Sequence, residues 1–324
     1  MNDTGPTTRT LRTGLKALVK ERALIALLLS AGIIIALGMA RYDWVERVGV
    51  APEAFWTMKV GWRGEADIVV AGDSRVLCAV SPAAMAEVLP GRRILNYAFL
   101  GTGCEPTYLS AARSVLSPDS DRPTIVLGVS PRSLTKGATR QKWFAPVYDQ
   151  HVLKRWLSRH TGGVMYFFRA MTYAELLTTL GAAEPKAGRC FQDFHPDGWE
   201  ATIIEPAHRG ALEEYRTKFD PDQEGPVDPD IIDGFLEIVR RWRADGIAVY
   251  AFRPPSCLEM VAMEDAISGF DEASFVRQFE AAGGVWLDVD QGAYSSYDGS
   301  HLDLNSAPQF SKDLAHLIKK GTEH

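Results

Sequence analysis

The stretch Asp67-Ile68-Val69-Val70-Ala71-Gly72-Asp73-Ser74-Arg75 is an apolar run that stops abruptly at Gly-Asp-Ser. Its aliphatic residues leave no polar face, so a strand over 66–71 is expected to be buried on both sides, as in parallel sheets. A serine at the tight turn after such a strand is lifted above the sheet edge, where ligand sites of parallel sheets lie. A serine hydroxyl is a weak nucleophile alone. It needs a base to take its proton and an acid to orient that base. Far downstream, Asp298-Gly299-Ser300-His301 places an acid and an imidazole three residues apart, just before the last helix. Each motif has an ordinary reading, as a helix cap or a turn. Together, at opposite ends of one domain, they point to acyl transfer.

Outward from this strand, Ser81-Pro82 opens a short helix to Leu89, with serine as N-cap and proline at the first helical position. A second strand is expected over 93–99, ending in the glycine-bearing loop 100–106. A helix over 107–116 and a third strand over 124–128 follow. This rhythm predicts a parallel sheet covered by helices on both faces. From 132 to 228 the alternation lapses, and an insertion above the strand ends is expected to shape the substrate site. The pattern resumes with an amphipathic helix over 229–244, whose Ile231, Phe235, Ile238, Val239 and Trp242 share a face. A strand over 247–252 then leads into Arg253-Pro254-Pro255. A helix over 271–282, a last strand over 285–288 and a final helix complete the chain, the last opening with a capping-box pattern, Ser306-Ala307-Pro308-Gln309.

The 324 residues suffice for one large α/β domain, and 46% hydrophobic with 23% charged residues is ordinary for a globular chain. A net charge of -6 argues against a nucleic-acid binder. Seven scattered histidines and the absence of Cys-x-x-Cys suggest no metal. Gly101-Thr102-Gly103 lacks the third glycine of a dinucleotide fingerprint, so no cofactor is implied.

Residues 1–22 form a basic tail carrying Arg9, Arg12, Lys16, Lys20 and Arg22, and 23–40 form an uncharged, Leu/Ile/Ala-rich stretch. Its length and one-sided positive flank predict a transmembrane anchor, with the N-terminus cytoplasmic and the rest of the chain extracytoplasmic. Gly38-Met39-Ala40 has the small residues of a cleavage site, which leaves a removed signal as the alternative. Residues 41–64 read as a connector whose Trp44, Phe55, Trp56 and Trp62 suit a membrane interface or the domain surface. The main domain is expected over 65–324. Cys78, Cys104, Cys190 and Cys257 would face an oxidising compartment, with a Cys78–Cys104 bridge or buried thiols both open.

Through Gly72-Asp73-Ser74, Asn96-Tyr97-Ala98-Phe99-Leu100-Gly101 and Asp298-Gly299-Ser300-His301, the chain resembles the SGNH (GDSL-type) hydrolases. The resemblance runs from about Ala66 to the C-terminus and implies a flavodoxin-like three-layer α/β fold. It implies Ser74 as nucleophile, His301 as general base and Asp298 as the acid that orients it. The N–H groups of Ser74 and Gly101 would donate to the oxyanion. A third block normally adds an asparagine side chain; here Leu127-Gly128-Val129-Ser130-Pro131-Arg132 places Ser130 at that position. Either Ser130 serves as the third donor with a different geometry, or the site is retuned or has lost activity. Arg75, beside the nucleophile, and Arg253, directly after a strand, are candidates for binding an anionic substrate group or for structural ion pairs.

Anchored members with this layout resemble proteins that add or move acyl groups on cell-surface polymers, among them alginate O-acetyltransferases and the D-alanyl transfer proteins of teichoic acid synthesis. The expected activity is O-acyl, above all acetyl, transfer to or removal from an envelope polysaccharide. A membrane-bound acyltransferase partner would deliver the acyl group. A simple esterase or lipase, and a non-catalytic assembly or polysaccharide-binding component, are the alternatives.

Overall fold

The computed structural model describes residues 8–39, 49–140, 143–168, 173–182, 189–207 and 211–321. The chain gathers into two units, Met1–Arg47 with Gly163–Pro185, and Val48–Gly162 with Lys186–His324.

The second unit carries the strands β1 (Ile68–Ala71), β2 (Ile94–Asn96), β3 (Thr124–Gly128), β4 (Arg189–Phe194), β5 (Glu200–Glu205), β6 (Ala248–Phe252) and β7 (Val285–Trp286). Five of them form a parallel sheet in the order β2-β1-β3-β6-β7, with Ala71 beside Leu127 and Gly128 beside Phe252. Counted within that sheet the order is 2-1-3-4-5, the doubly wound arrangement. β4 and β5 form a separate antiparallel hairpin.

The strands read as continuous apolar runs because both faces are covered. Val69, Ala71, Ile125, Leu127, Val249 and Ala251 turn to one face. There they pack on Tyr108 and Leu109 of helix Pro106–Ser114, on Phe235, Val239 and Trp242 of helix Pro229–Ala244, and on Phe275 and Phe279 of helix Glu272–Ala281. Ile68, Val70, Val126, Tyr250 and Phe252 turn to the other face. Met85 of helix Pro82–Val88 and Phe310, Leu314 and Ile318 of helix Ala307–Gly321 cover that side. Each such aliphatic side chain contributes about 1.5–3 kcal/mol when fully buried. The result is a three-layer α/β fold.

The expected connector is not a surface segment from residue 49 onward. Pro52–Gly61 is a helix of the second unit, and its Phe55, together with Trp62 just after it, lies in the core, with Trp56 half-buried. Trp44 lies outside the described residues. Within the 132–228 insertion, the hairpin and the helices Phe144–Tyr148, Val152–Phe168 and Ala211–Lys218 supply structure that the lapsed alternation concealed. Ser306 does not close a capping box: its hydroxyl accepts from Ser295 N–H at 2.9 Å.

In the first unit, Thr8–Met39 is one continuous helix. Its described side chains end at Ala36, so the end of the expected 23–40 anchor lies outside them. Among the described residues no helix is long and apolar enough to cross a membrane.

Candidate active site

Because every strand of the main sheet runs the same way, the segments that follow them leave by one edge. Ser74 comes after β1, Gly101 after β2, Ser130 after β3, Arg253 after β6, and Asp298 with His301 after β7.

Ser74 is the first residue of the short helix Ser74–Ala79, capped by Asp73, whose Oδ1 accepts Arg75 N–H at 3.0 Å. That helix presses hard on the ends of β1 and β3. A Cβ on Gly128 would sit 2.0 Å from Val76 Cγ2, and one on Gly72 would sit 2.5 Å from it. Only glycine fits at either place. The far end of the helix is tied by Asn96, which is fully buried. Its amide donates to the Val76 and Val80 carbonyls at 3.1 and 2.8 Å, and its Oδ1 accepts Ala98 N–H at 2.9 Å. Asn96 thus binds the segment bearing Ser74 to the segment leading to Gly101.

The structure brings Ser74, His301 and Asp298 into one line. Ser74 Oγ lies 2.8 Å from His301 Nε2, and His301 Nδ1 lies 2.7 Å from Asp298 Oδ2. With Asp298 ionised, Nδ1 donates its proton to the carboxylate and Nε2 is left to accept from the Ser74 hydroxyl. Asp298 divides its two oxygens between tasks. Oδ2 faces the imidazole, while Oδ1 accepts the N–H groups of Ser300 and His301 at 2.8 and 2.7 Å and so shapes the turn. Burial pushes the Asp298 carboxyl up, but its bonds to His301 and Ser300 outweigh this and lower it from 3.8 to about 2.

Two tyrosines hold the imidazole, and neither was singled out from sequence. The Tyr297 ring lies parallel to it, 5.6 Å between centroids and 6° between planes. Tyr215 meets it edge-on at 6.3 Å. Tyr297 directly precedes Asp298, a position that could have flagged it; Tyr215 sits in the insertion, where no local signal marks it.

Gly101 adopts φ +60°, a left-handed conformation that suits glycine. Neither its N–H nor that of Ser74 has an acceptor among the described residues. Both N–H groups remain available as donors at the edge where the segments after β1 and β2 emerge.

The expected role of Ser130 changes, and the two open readings of Arg75 and Arg253 resolve to structural ion pairs. Ser130 is fully buried, and its single hydroxyl proton goes to Asp73 Oδ2 at 2.8 Å while the oxygen accepts Ser133 N–H at 3.2 Å. It braces the Asp73 cap and is no oxyanion donor. Arg75 is 1% exposed; it binds Glu264 through two nitrogens, and its Nε donates to Ser300 Oγ at 2.8 Å. Arg253 is 3% exposed and pairs with Glu264, Asp265 and Glu272 at 3.2, 2.8 and 2.7 Å. Neither arginine is open to substrate, because the buried Glu264 pairs with both and the more exposed Asp265 and Glu272 also hold Arg253.

Cys78 and Cys104 are separate buried thiols, with no bridge between them, and burial pushes Cys104 up to about 12. Cys257 is also a free thiol, and the Cys190 side chain lies outside the described residues. His195 to Trp199 form the turn between β4 and β5, and Trp199 Nε1 donates to the Cys78 carbonyl at 2.8 Å. Among the described residues no group of three or more His, Cys, Asp or Glu side chains could hold a metal ion. A groove of about 640 Å³ that includes Arg92, Arg122 and Arg243 opens at the N-terminal ends of the strands, opposite the triad.

No protein-family model and no curated protein matches the chain. A solved structure from Streptococcus pneumonia, described in terms of platelet activating factor, aligns over 91% of this chain and 99% of its own. Its identity is 11% and its TM-score 0.37, a likeness too remote to carry fold or function across.

Proposed function

We propose that the chain is a membrane-tethered, extracytoplasmic SGNH-type serine enzyme that works through an acyl-Ser74 intermediate. The single observation that carries this reading is the unbroken Ser74–His301–Asp298 line, at 2.8 and 2.7 Å. His301 takes the Ser74 proton as Oγ attacks the acyl carbon of an ester donor. The carbonyl electron pair moves onto oxygen, facing the free N–H groups of Ser74 and Gly101. Collapse expels the donor's alkoxide, which leaves with the proton held on His301. A sugar hydroxyl or water then takes the same route in reverse. Asp298 keeps the imidazole in the productive tautomer throughout.

The substrate proposed is an O-acyl, above all acetyl, group on an envelope polysaccharide, supplied through a membrane-bound acyltransferase partner. This part rests on the sequence resemblance. The tether is supported by the Thr8–Met39 helix, on which Leu24, Leu27, Leu28, Leu29 and Ile33 are all more than half exposed. Large apolar side chains exposed among the described residues suit contact with lipid, and the proposed anchor runs on into residues 37–40, whose side chains lie outside them.

The test uses the full chain in detergent with an activated acetyl ester and a serine-directed fluorophosphonate. Wild type is expected to turn over the ester and take the label, and Ser74→Ala to do neither. Equal behaviour of the two proteins in both assays sinks the acyl-serine reading. Adding a polysaccharide acceptor separates transfer from hydrolysis, since transfer deposits the acetyl group on the sugar.

A further inference from the structure

With Ser130 turned inward to Asp73, the oxyanion side of the site has lost its expected side-chain donor, yet a charged donor lies two residues further on. Arg132 is in the single 3₁₀ turn Pro131–Leu134 that follows β3. A Cβ placed on Gly101 would lie 3.7 and 3.9 Å from the two terminal guanidinium nitrogens of Arg132. Covalent geometry puts the Gly101 nitrogen about 2.5 Å from that Cβ point. The guanidinium nitrogens therefore lie within about 6.4 Å of it, and one oxygen bonded to both sides at about 2.9 Å bridges any separation up to about 5.8 Å, nearly all of that range. The Gly101 N–H has no acceptor among the described residues, so such an oxygen would meet two waiting donors.

Arg132 is poised rather than saturated. It is 9% exposed, and one nitrogen donates to Glu224 Oε1 at 2.6 Å. Its Nε and the second Glu224 oxygen are buried without hydrogen-bond partners. A carboxylate normally receives an arginine through two parallel bonds, and buried polar atoms are seldom left unmatched. Here Glu224 holds the fork by one prong and leaves donor capacity beside Gly101. Trp143 approaches the same spot, its Cδ1 3.6 Å from the Gly101 Cβ point. An aromatic edge there thins the water around any charge that forms.

Resting on the acyl-Ser74 reading, the geometry points to Arg132 as a catalytic residue that donates, together with the Ser74 and Gly101 N–H groups, to the oxyanion of the tetrahedral intermediate. The electron pair that leaves the carbonyl π bond as Ser74 Oγ adds to the acyl carbon resides on that oxygen, and Arg132 stays protonated throughout. When the intermediate collapses the pair returns and the leaving alkoxide takes its proton from His301. A cationic donor is about twice as strong as the neutral amide it replaces, which answers the absence of asparagine from this chain's third block.

The experiment measures p-nitrophenyl acetate turnover and fluorophosphonate labelling of the full chain for wild type, Arg132→Ala, Arg132→Lys and Glu224→Gln. Circular dichroism checks that each variant is folded. Removing an oxyanion donor costs about 100–1000-fold in kcat, so Arg132→Ala is expected to lose that much with KM little changed. Arg132→Lys recovers part of the loss, and guanidinium ion at sub-denaturing concentration restores part of the activity of Arg132→Ala. Glu224→Gln removes the ion pair but keeps the donor, and stays within a few-fold of wild type. The assignment is overturned if Arg132→Ala turns over like wild type, or if Glu224→Gln falls as far as Arg132→Ala, because the arginine would then act only through the ion pair. If wild type itself takes no label at Ser74, the acyl-serine reading fails first. A labelled wild type with an indifferent Arg132→Ala removes Arg132 alone.

Discussion

Arg75 and Glu264 meet through two nitrogens and two oxygens, at 2.5 and 3.1 Å, across a sequence separation of 189 residues. Both side chains are buried, and Arg75 Nε reaches on to Ser300 Oγ in the turn that presents His301. Glu264 also receives Arg253 at 3.2 Å. One carboxylate therefore anchors the residue next to the nucleophile and the residue that follows β6. Burial works against the Arg75 charge, and the adjoining carboxylate more than restores it, so its guanidinium is raised above the ordinary arginine value.

Arg75→Ala should cost about 3 kcal/mol, the low end of the penalty for breaking a buried pair, because Glu264 loses its two-pronged partner but keeps Arg253. Urea unfolding measures it. The double variant Arg75→Met/Glu264→Gln should recover part of that loss, since it leaves less charge stranded. A single variant as stable as wild type would show the pair to be idle.

Asp298→Asn is a sharper probe of catalysis than Asp298→Ala. The asparagine carbonyl can still accept the Ser300 and His301 N–H groups, so the turn survives. Its NH₂ would face His301 Nδ1, however, and drive the proton to Nε2, where it cannot accept from Ser74. Turnover should fall on the order of 10⁴-fold with the circular dichroism spectrum unchanged. A loss under tenfold would mean that the tautomer is not set by residue 298.

Acid titration offers a third test. The Asp298 carboxyl is lowered in the folded chain from 3.8 to about 2. A depressed carboxylate stabilises the fold fully above its unfolded value, and the contribution is lost as the pH falls towards the folded one. The difference in unfolding free energy between wild type and Asp298→Asn should be flat above about pH 5 and shrink between about pH 4 and 2. A difference that stays constant through that window would rule out the linkage.

Gly128→Ala should destabilise the protein and blunt activity together, because its methyl would enter the space of Val76 Cγ2. Overpacking of this kind costs about 1–3 kcal/mol. Adding Val76→Ala should return part of both losses, as thermal melts and ester turnover would record. Without any return, the clash lies elsewhere.

The sheet and the triad were legible in the amino-acid order because each announces itself locally. Residues 68–71 and 125–128 are apolar throughout, as strands covered on both faces are, and Asp298 and His301 share one turn. Helix Pro52–Gly61 was not, since it has no side-chain cap and even its lysine is buried, Lys59 donating to the Ala98 and Gly198 carbonyls at 2.6 and 3.0 Å. A helix with aromatic and charged side chains alike inside presents no polar face to read. Ser130 was given the wrong role, and Arg75 and Arg253 were left open between substrate and ion pair, for a different reason. Each is adjacent to the reactive residues in sequence or topology, and only the fold supplies Glu264 and Asp73 as the partners that occupy them.

Ser74 and His301 stand 227 residues apart. The hydroxyl is therefore synthesised long before the imidazole that would accept its proton. Throughout that interval the nascent chain carries an ordinary serine, with no base to activate it and no Ser300 for Arg75 to grip. On the acyl-serine proposal, activation awaits the segment that carries Asp298 and His301, so a chain halted before it would hold Ser74 without its base.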